Sequence, residues 1–138
     1  VRDWVNKTHV GDCRELLTEM AADGVRVQTC VTSPPYFGLR DYGMTGQIGR
    51  EPSPIAYVDE LVSVFQSVRA VLADDGTAWL NLGDSYANDD KWGGSSGGKH
   101  VSALHGNTGI GRERKSTGLK PKDLIGIPWR VAFALQAD

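Results

Sequence analysis

Thr32, Ser33, Pro34, Pro35 and Tyr36 stand in one run directly behind the apolar, β-branched stretch 25–31, Val-Arg-Val-Gln-Thr-Cys-Val. A strand that meets two prolines has to stop, because neither ring nitrogen donates to a ladder and each proline restricts the residue before it to extended or turn geometry. The halt leaves a hydroxyl, backbone carbonyls of restricted orientation and an aromatic ring at one corner. Those groups suit a flat ring that bears an amino group. The lone pair of an exocyclic amine on adenine or cytosine is delocalised into the base, so its nitrogen is a poor nucleophile until both N–H bonds are held. Ser33 Oγ and the Pro34 carbonyl are the candidate acceptors. Gripping both hydrogens would draw the nitrogen toward tetrahedral geometry and stabilise the charge that develops as it attacks an electrophilic methyl. Tyr36 would stack on the base, which in a duplex must first be flipped out of the helix.

The surroundings of this corner carry a family resemblance. Thr-Ser-Pro-Pro-Tyr-Phe-Gly-Leu-Arg-Asp-Tyr-Gly at 32–43, Gly11-Asp12-Cys13 upstream and Gly-Thr-Ala-Trp-Leu-Asn-Leu-Gly-Asp at 76–84 resemble, in order and spacing, the amino-methylating DNA methyltransferases. That resemblance implies transfer of a methyl group from S-adenosylmethionine to cytosine N4 or adenine N6 in double-stranded DNA, with the target base flipped, as in restriction-modification or phage DNA modification. It implies an α/β chain, a partial Rossmann-like methyltransferase fold with a mostly parallel sheet flanked by helices. It also distributes roles: Ser33, Pro34, Pro35 and Tyr36 catalytic, Asp12 and Thr32 toward the methyl donor, and Phe37, Arg40, Tyr42 and Asp84 toward the substrate. Serine in the first motif position leans toward cytosine N4, with adenine N6 left open. No covalent enzyme intermediate is needed, so neither Cys13 nor Cys30 is expected as a nucleophile.

The elements that must position these residues follow from local signals. Residues 6–10 read as a short extended run, after which Gly11 and Asp12 turn the chain into a helix over 13–22, with Cys13, Leu16, Leu17 and Met20 at helical spacing. Asp12 suits that helix as an N-cap, a role compatible with a donor contact. Asp23-Gly24 breaks the helix, and 25–31 reads as a nearly continuous apolar strand, the pattern of a sheet covered by helices on both faces. The Ser33 loop then falls at the carboxyl edge of the sheet, where open α/β folds place their ligands. Residues 37–52 are Gly-rich and irregular, and are read as an active-site lid. Within it Arg40 could meet a phosphate and Tyr42 the flipped base; the plainer alternative is a surface pair of Arg40 with Asp41 or Glu51, and Tyr42 as partial core.

Ser53-Pro54 starts a second helix, on which Val58, Leu61, Val62, Phe65, Val68 and Leu72 form a core stripe. Asp74-Asp75-Gly76 should end it and Thr77 to Leu82 supply a second central strand, with Asp84 just beyond it. Asp84 either walls the pocket or bonds its own turn. Trp129 to Gln136 forms a last helix that Pro128 starts or kinks.

Length and composition bound the rest. The chain has 138 residues, 40% of them hydrophobic, enough for one domain with a core. A formal net charge of -2 does not announce a nucleic-acid binder, but the charge is uneven. Residues 1–90 carry twice as many acids as bases, whereas Lys91, Lys99, Arg112, Arg114, Lys115, Lys120 and Lys122 face only Glu113. The segment at about 87–120, with its Gly93 to Gly98 run, is therefore expected to be a mobile basic loop, either a salt-sensitive phosphate contact or a solvated insertion. The two cysteines show no metal or disulfide spacing and read as buried reduced thiols, and no metal site is expected. With no apolar run of membrane-span length and no signal-peptide core, the expected compartment is cytoplasmic.

In the family resembled, a Phe-x-Gly-x-Gly turn after a strand lines the methionine part of the donor, and this sequence has no such turn. The chain is accordingly expected to be the N-terminal, catalytic-motif part of a methyltransferase, residues 1–138, with the donor motif and target-recognition region in a missing C-terminal half or a second chain. Two rivals stay open. One is a catalytically inactive, truncated DNA- or partner-binding remnant; the other is a methyltransferase for a glutamine amide or RNA amine, against which the serine and the 32–43 context argue.

Overall fold

A computed structural model of the chain describes residues 2–87 and 117–138. Helix α1 spans Cys13–Ala22, strand β1 Val27–Thr32, helix α2 Pro54–Val71, strand β2 Leu72–Leu80 and helix α3 Ile127–Ala137. The two strands run parallel, so the architecture is α/β with a small parallel sheet flanked by helices. Most of the expected basic loop falls on residues outside the described ones.

Local chemistry sets the helix starts. Asp12 is extended at the N-cap of α1 and its carboxylate accepts from Arg14 N at 2.9 Å. Ser53 does the same for α2, its hydroxyl accepting from Ala56 N at 3.2 Å, with Pro54 in the first turn where no N–H is needed. Helix α3 lacks a side-chain cap of its own: its N-cap residue is Gly126, in the left-handed region at φ 78°, where a side chain would be strained. The cap arrives from 42 residues away, because the Asp84 carboxylate accepts from Gly126 N at 3.0 Å and Ile127 N at 2.9 Å. An anion at that end also suits the helix dipole.

Tyr57, Leu61, Val64, Val68 and Val71 form the centre of the buried stripe of α2, at alternating spacings of four and three. Val62 and Phe65, expected in that stripe, lie on its flank, half-buried. The main core joins Phe37, Tyr57, Val58, Leu61, Ile125, Ile127 and Val131, with Leu80 and Leu82 packed against it. Burying each such side chain stabilises by about 1.5–3 kcal/mol.

Several boundaries differ from expectation. Residues 6–10 form no strand. Strand β2 begins at Leu72, before Asp74-Asp75-Gly76, because the register bulges: Val27 pairs with Leu72 and Thr29 with Thr77. A bulge accommodates these turn-forming residues inside the strand instead of ending it. On one sheet face Val31 and its partner Trp79 are 78% and 65% exposed, so among the described residues helices do not cover both faces as the apolar run had implied. Cys13 is exposed and Cys30 half-buried, so neither is the buried thiol expected from its apolar neighbours; both are free. No helix of the described residues is long and apolar enough to cross a membrane.

Candidate active site

Both strands end at the same edge. Asn81 N donates to Thr32 O at 2.9 Å, extending the ladder one step past β2, and each chain then leaves the sheet. Ser33 to Tyr36 departs from β1, and Gly83 to Ser85 departs from the other side of that gap. The two segments meet face to face. A Cβ on Gly83 would stand 2.6 Å from Tyr36 Cε2 and 2.8 Å from Cδ2, so the tyrosine ring rests on bare backbone.

The corner is held from behind. Tyr57 Oη donates to Pro35 O at 2.9 Å, Leu39 N to Tyr36 O at 3.3 Å and Ser85 Oγ to Phe37 O at 3.2 Å. Gly49 also presses on it, with its carbonyl accepting from Gly38 N at 2.8 Å. In front, the groups that could take a ligand are open. Ser33 is exposed and its Oγ makes only a long contact, 3.5 Å, to Tyr36 Oη. No group of the described residues donates a hydrogen bond to the Pro34 carbonyl. A crevice of about 310 Å³ opens here, lined by Ser33 to Tyr36 with Leu39, Arg40 and Tyr42. That is the low end of the range for ligand pockets, about 300–1,000 Å³.

Gln47 braces the loop that lines the crevice. Gln47 Oε1 accepts from Tyr42 N at 2.7 Å and Gln47 Nε2 donates to Arg40 O at 3.0 Å. Asp41 accepts from Gly43 N at 2.8 Å and pairs with Arg50 at 3.2 Å, so the surface pair involves Arg50 and not Arg40. Arg40 has no ion-pair partner among the described residues, and Tyr42 is 55% exposed instead of part of the core. Both face the crevice.

The structure thus gathers Ser33, Pro34, Pro35, Tyr36, Arg40 and Tyr42 at one crevice. Phe37 and Asp84 lie elsewhere. Phe37 is buried in the core, its ring 5.5 Å from that of Tyr57, and Asp84 is engaged with Ser85 N and the start of α3. Tyr57, Gly49 and Gly83 were not singled out from the sequence. The helix start at Ser53 could have marked Tyr57 as lying one turn into α2, but nothing local gave its hydroxyl a partner.

Of the two residues read toward a methyl donor, Asp12 is engaged within the chain through its carboxylate and Thr32 through its backbone carbonyl. Thr32 O takes the Asn81 amide, and both Asp12 oxygens bond Arg14, through its backbone N–H, Nε and Nη2. Arg14 in turn reaches Glu60 on α2. A second crevice, about 490 Å³, adjoins Arg14 and Glu60; its lining holds the ion pairs Arg14–Glu60 and Arg50–Asp41, and Glu51, which accepts from Gly49 N. Among the described residues no cluster of His, Cys, Asp or Glu could hold a metal ion.

Hydrogen bonds from the Arg14 side chain, then its backbone N–H, hold the Asp12 carboxyl down from the usual 3.8 to about 2. A carboxylate with a lowered folded-state pKa stabilises above its unfolded value and loses that contribution as pH falls through the folded one. The protein should therefore lose a small increment of stability between pH 4 and pH 2 that Asp12→Asn lacks. Because the pair is solvent-exposed, that increment is expected to be under about 1 kcal/mol. Thermal melts of both proteins at pH 5 and pH 2.5 check this, and equal acid sensitivity would refute it.

Comparison with known proteins adds a sequence relationship. Residues 27–134 match the family model described as DNA methylase, of the N6/N4 methyltransferases. The chain is 48% identical over 132 residues to the type II methyltransferase M.SmaI of Serratia marcescens, covering 96% of this chain and 43% of that protein. It is 44% identical to the type II methyltransferase M.Cfr9I of Citrobacter freundii, covering 93% and 41%, and 40% identical to M.SfiI of Streptomyces fimbriatus, covering 94% and 27%. The chain spans less than half the length of these relatives. No solved structure gives a significant match.

Proposed function

Since the chain belongs to the DNA methylase family of N6/N4 methyltransferases, we propose that it forms the catalytic-motif part of a DNA methyltransferase acting on the exocyclic amine of a flipped cytosine (N4) or adenine (N6). The observation that carries this reading is the pair of open acceptors, Ser33 Oγ and the Pro34 carbonyl, beside the Tyr36 ring at a crevice of base-accommodating size. In this mechanism the two acceptors take the two N–H bonds of the amine. The nitrogen lone pair is then no longer committed to the ring and can form a bond to a methyl carbon as the bond between that carbon and its leaving group breaks. The nitrogen, then positive, gives one of its two protons to water. Tyr36 stacks on the extruded base, replacing part of the stacking lost on flipping. Arg40 and Tyr42, which line the crevice, are given the remaining roles: Arg40 would take a backbone phosphate and Tyr42 would cover the base.

The proposed donor is S-adenosylmethionine, which supplies an electrophilic sulfonium methyl. The support is the family relationship. Asp12 and Thr32 remain the residues of this chain read toward the donor, and because the chain spans less than half the length of its relatives, the rest of the donor cradle is proposed to come from a C-terminal half or a second chain.

The complete protein should transfer label from methyl-labelled S-adenosylmethionine into DNA, and nucleoside digestion should give N4-methylcytosine or N6-methyladenine. Label on cytosine C5 would overturn the amine mechanism. Binding of DNA and donor without any transfer would favour the inactive remnant.

A further inference from the structure

The carbonyls of Pro34 and Pro35 belong to adjacent peptide planes, and only two torsions relate those planes, φ and ψ of Pro35. The pyrrolidine ring fixes the first. The second is free in an isolated peptide, so whatever holds the Pro35 carbonyl also aims the Pro34 carbonyl. Here that carbonyl accepts from Tyr57 Oη at 2.9 Å. Gly49 closes the same peptide from another side: it sits at φ 97°, and a Cβ there would stand 2.9 Å from Tyr36 O and 3.3 Å from Pro35 Cβ.

We propose that Tyr57 is a positioning residue for methyl transfer, whose hydroxyl locks Pro35 and thereby directs the Pro34 acceptor and the Tyr36 ring at the target amine. It does not touch the substrate; it acts through the turn. This inference rests on the amine-acceptor reading of Ser33 and Pro34.

The geometry of Tyr57 suits a fixed post. Its side chain is fully buried, its ring lies against Phe37 at a tilt of 50°, and its backbone N donates to Ser53 O at 3.1 Å in the first turn of α2. The helix N-cap therefore sets the height of the hydroxyl, and the core sets its direction. Burial first, then the nearby Glu51 carboxylate and Tyr36, push the phenol pKa upward, so the group stays a donor through the neutral range. A buried tyrosine hydroxyl needs some partner in any fold. What distinguishes this one is its acceptor, a carbonyl one torsion away from the plane that presents the Pro34 oxygen.

Tyr57→Phe in the complete protein keeps the ring and its contact with Phe37 and removes only the donor. The single-turnover methyl-transfer rate should fall about tenfold, since small errors in the placement of a reacting group have large effects on rate. KM values for DNA and donor should stay within about twofold. Val64→Ala, a cavity in the same helix away from the turn, is the comparison: at a temperature where both variants are folded, it should retain the parental single-turnover rate. A parental rate for Tyr57→Phe overturns the proposal, as does a loss in Val64→Ala of the same size, which would mean that destabilising α2 suffices. Ser33→Ala separates the two levels of inference. If Ser33→Ala is impaired while Tyr57→Phe is not, only the role of Tyr57 fails; if Ser33→Ala is as fast as the parent, the amine-acceptor reading fails and this inference with it.

Discussion

Ser33→Ala in the complete protein is expected to lower the methyl-transfer rate about a hundredfold, or about 2.7 kcal/mol of transition-state stabilisation, while leaving DNA affinity nearly unchanged. The split follows from when the hydrogen bond matters. In the ground state the amine is planar and its hydrogens would bind water almost as well as a hydroxyl. As the nitrogen becomes tetrahedral and positive its N–H bonds become stronger donors, so the acceptor is worth more in the transition state and its loss appears in kcat. Stability should barely move, within about 0.5 kcal/mol, because Ser33 is exposed and its contact to Tyr36 Oη is long. Ser33→Asn supplies a side-chain carbonyl as a replacement acceptor and should recover part of the rate. Methylation kinetics and DNA-binding titrations on the three proteins decide it. Equal impairment of the Ala and Asn variants would mean that the hydroxyl serves as something other than an acceptor.

The parts of this molecule that were legible in the sequence are those fixed by residues close together along the chain. Two prolines stop a strand wherever they occur, and Asp12 and Ser53 cap helices through N–H groups two and three residues ahead. The acceptor corner and the starts of α1 and α2 were therefore readable. What failed to be readable was settled across distance or by rotation. Phe37 adjoins the motif and reads from the sequence as a substrate contact, yet the turn at 37–39 sends its ring into the core against Tyr57. The partner of the Tyr57 hydroxyl lies 22 residues back, and the helix that Asp84 caps lies 42 residues ahead. No periodicity reports such pairs. The bulge in β2 shows a different limit: Asp-Asp-Gly is a turn signal locally, and only pairing with β1 keeps it within a strand.

Gly83→Ala should cut methyl transfer by roughly tenfold to a hundredfold with little change in folding, the pattern expected when an aromatic platform is moved and not removed. Gly83 does not occupy a left-handed conformation, so the backbone accepts alanine without strain. The conflict is with one neighbour only: the new methyl would stand 2.6 Å from Tyr36 Cε2, where no carbon can remain. Tyr36 is half-buried and borders the crevice, so its ring has somewhere to go, and it relieves the contact by swinging toward the space a base would occupy. A stacked base would then be pushed away from Ser33 Oγ and the Pro34 carbonyl. Gly49→Ala provides the contrast, because there a methyl would meet backbone, Tyr36 O at 2.9 Å, at a positive φ, and stability should fall together with activity. For Gly83→Ala the decisive comparison is with Gly83→Ala/Tyr36→Ala: once the ring is gone, the extra methyl should have no further effect. If the double variant is slower than Tyr36→Ala alone by the full factor seen in the single variant, Gly83 acts independently of the ring and the platform argument fails.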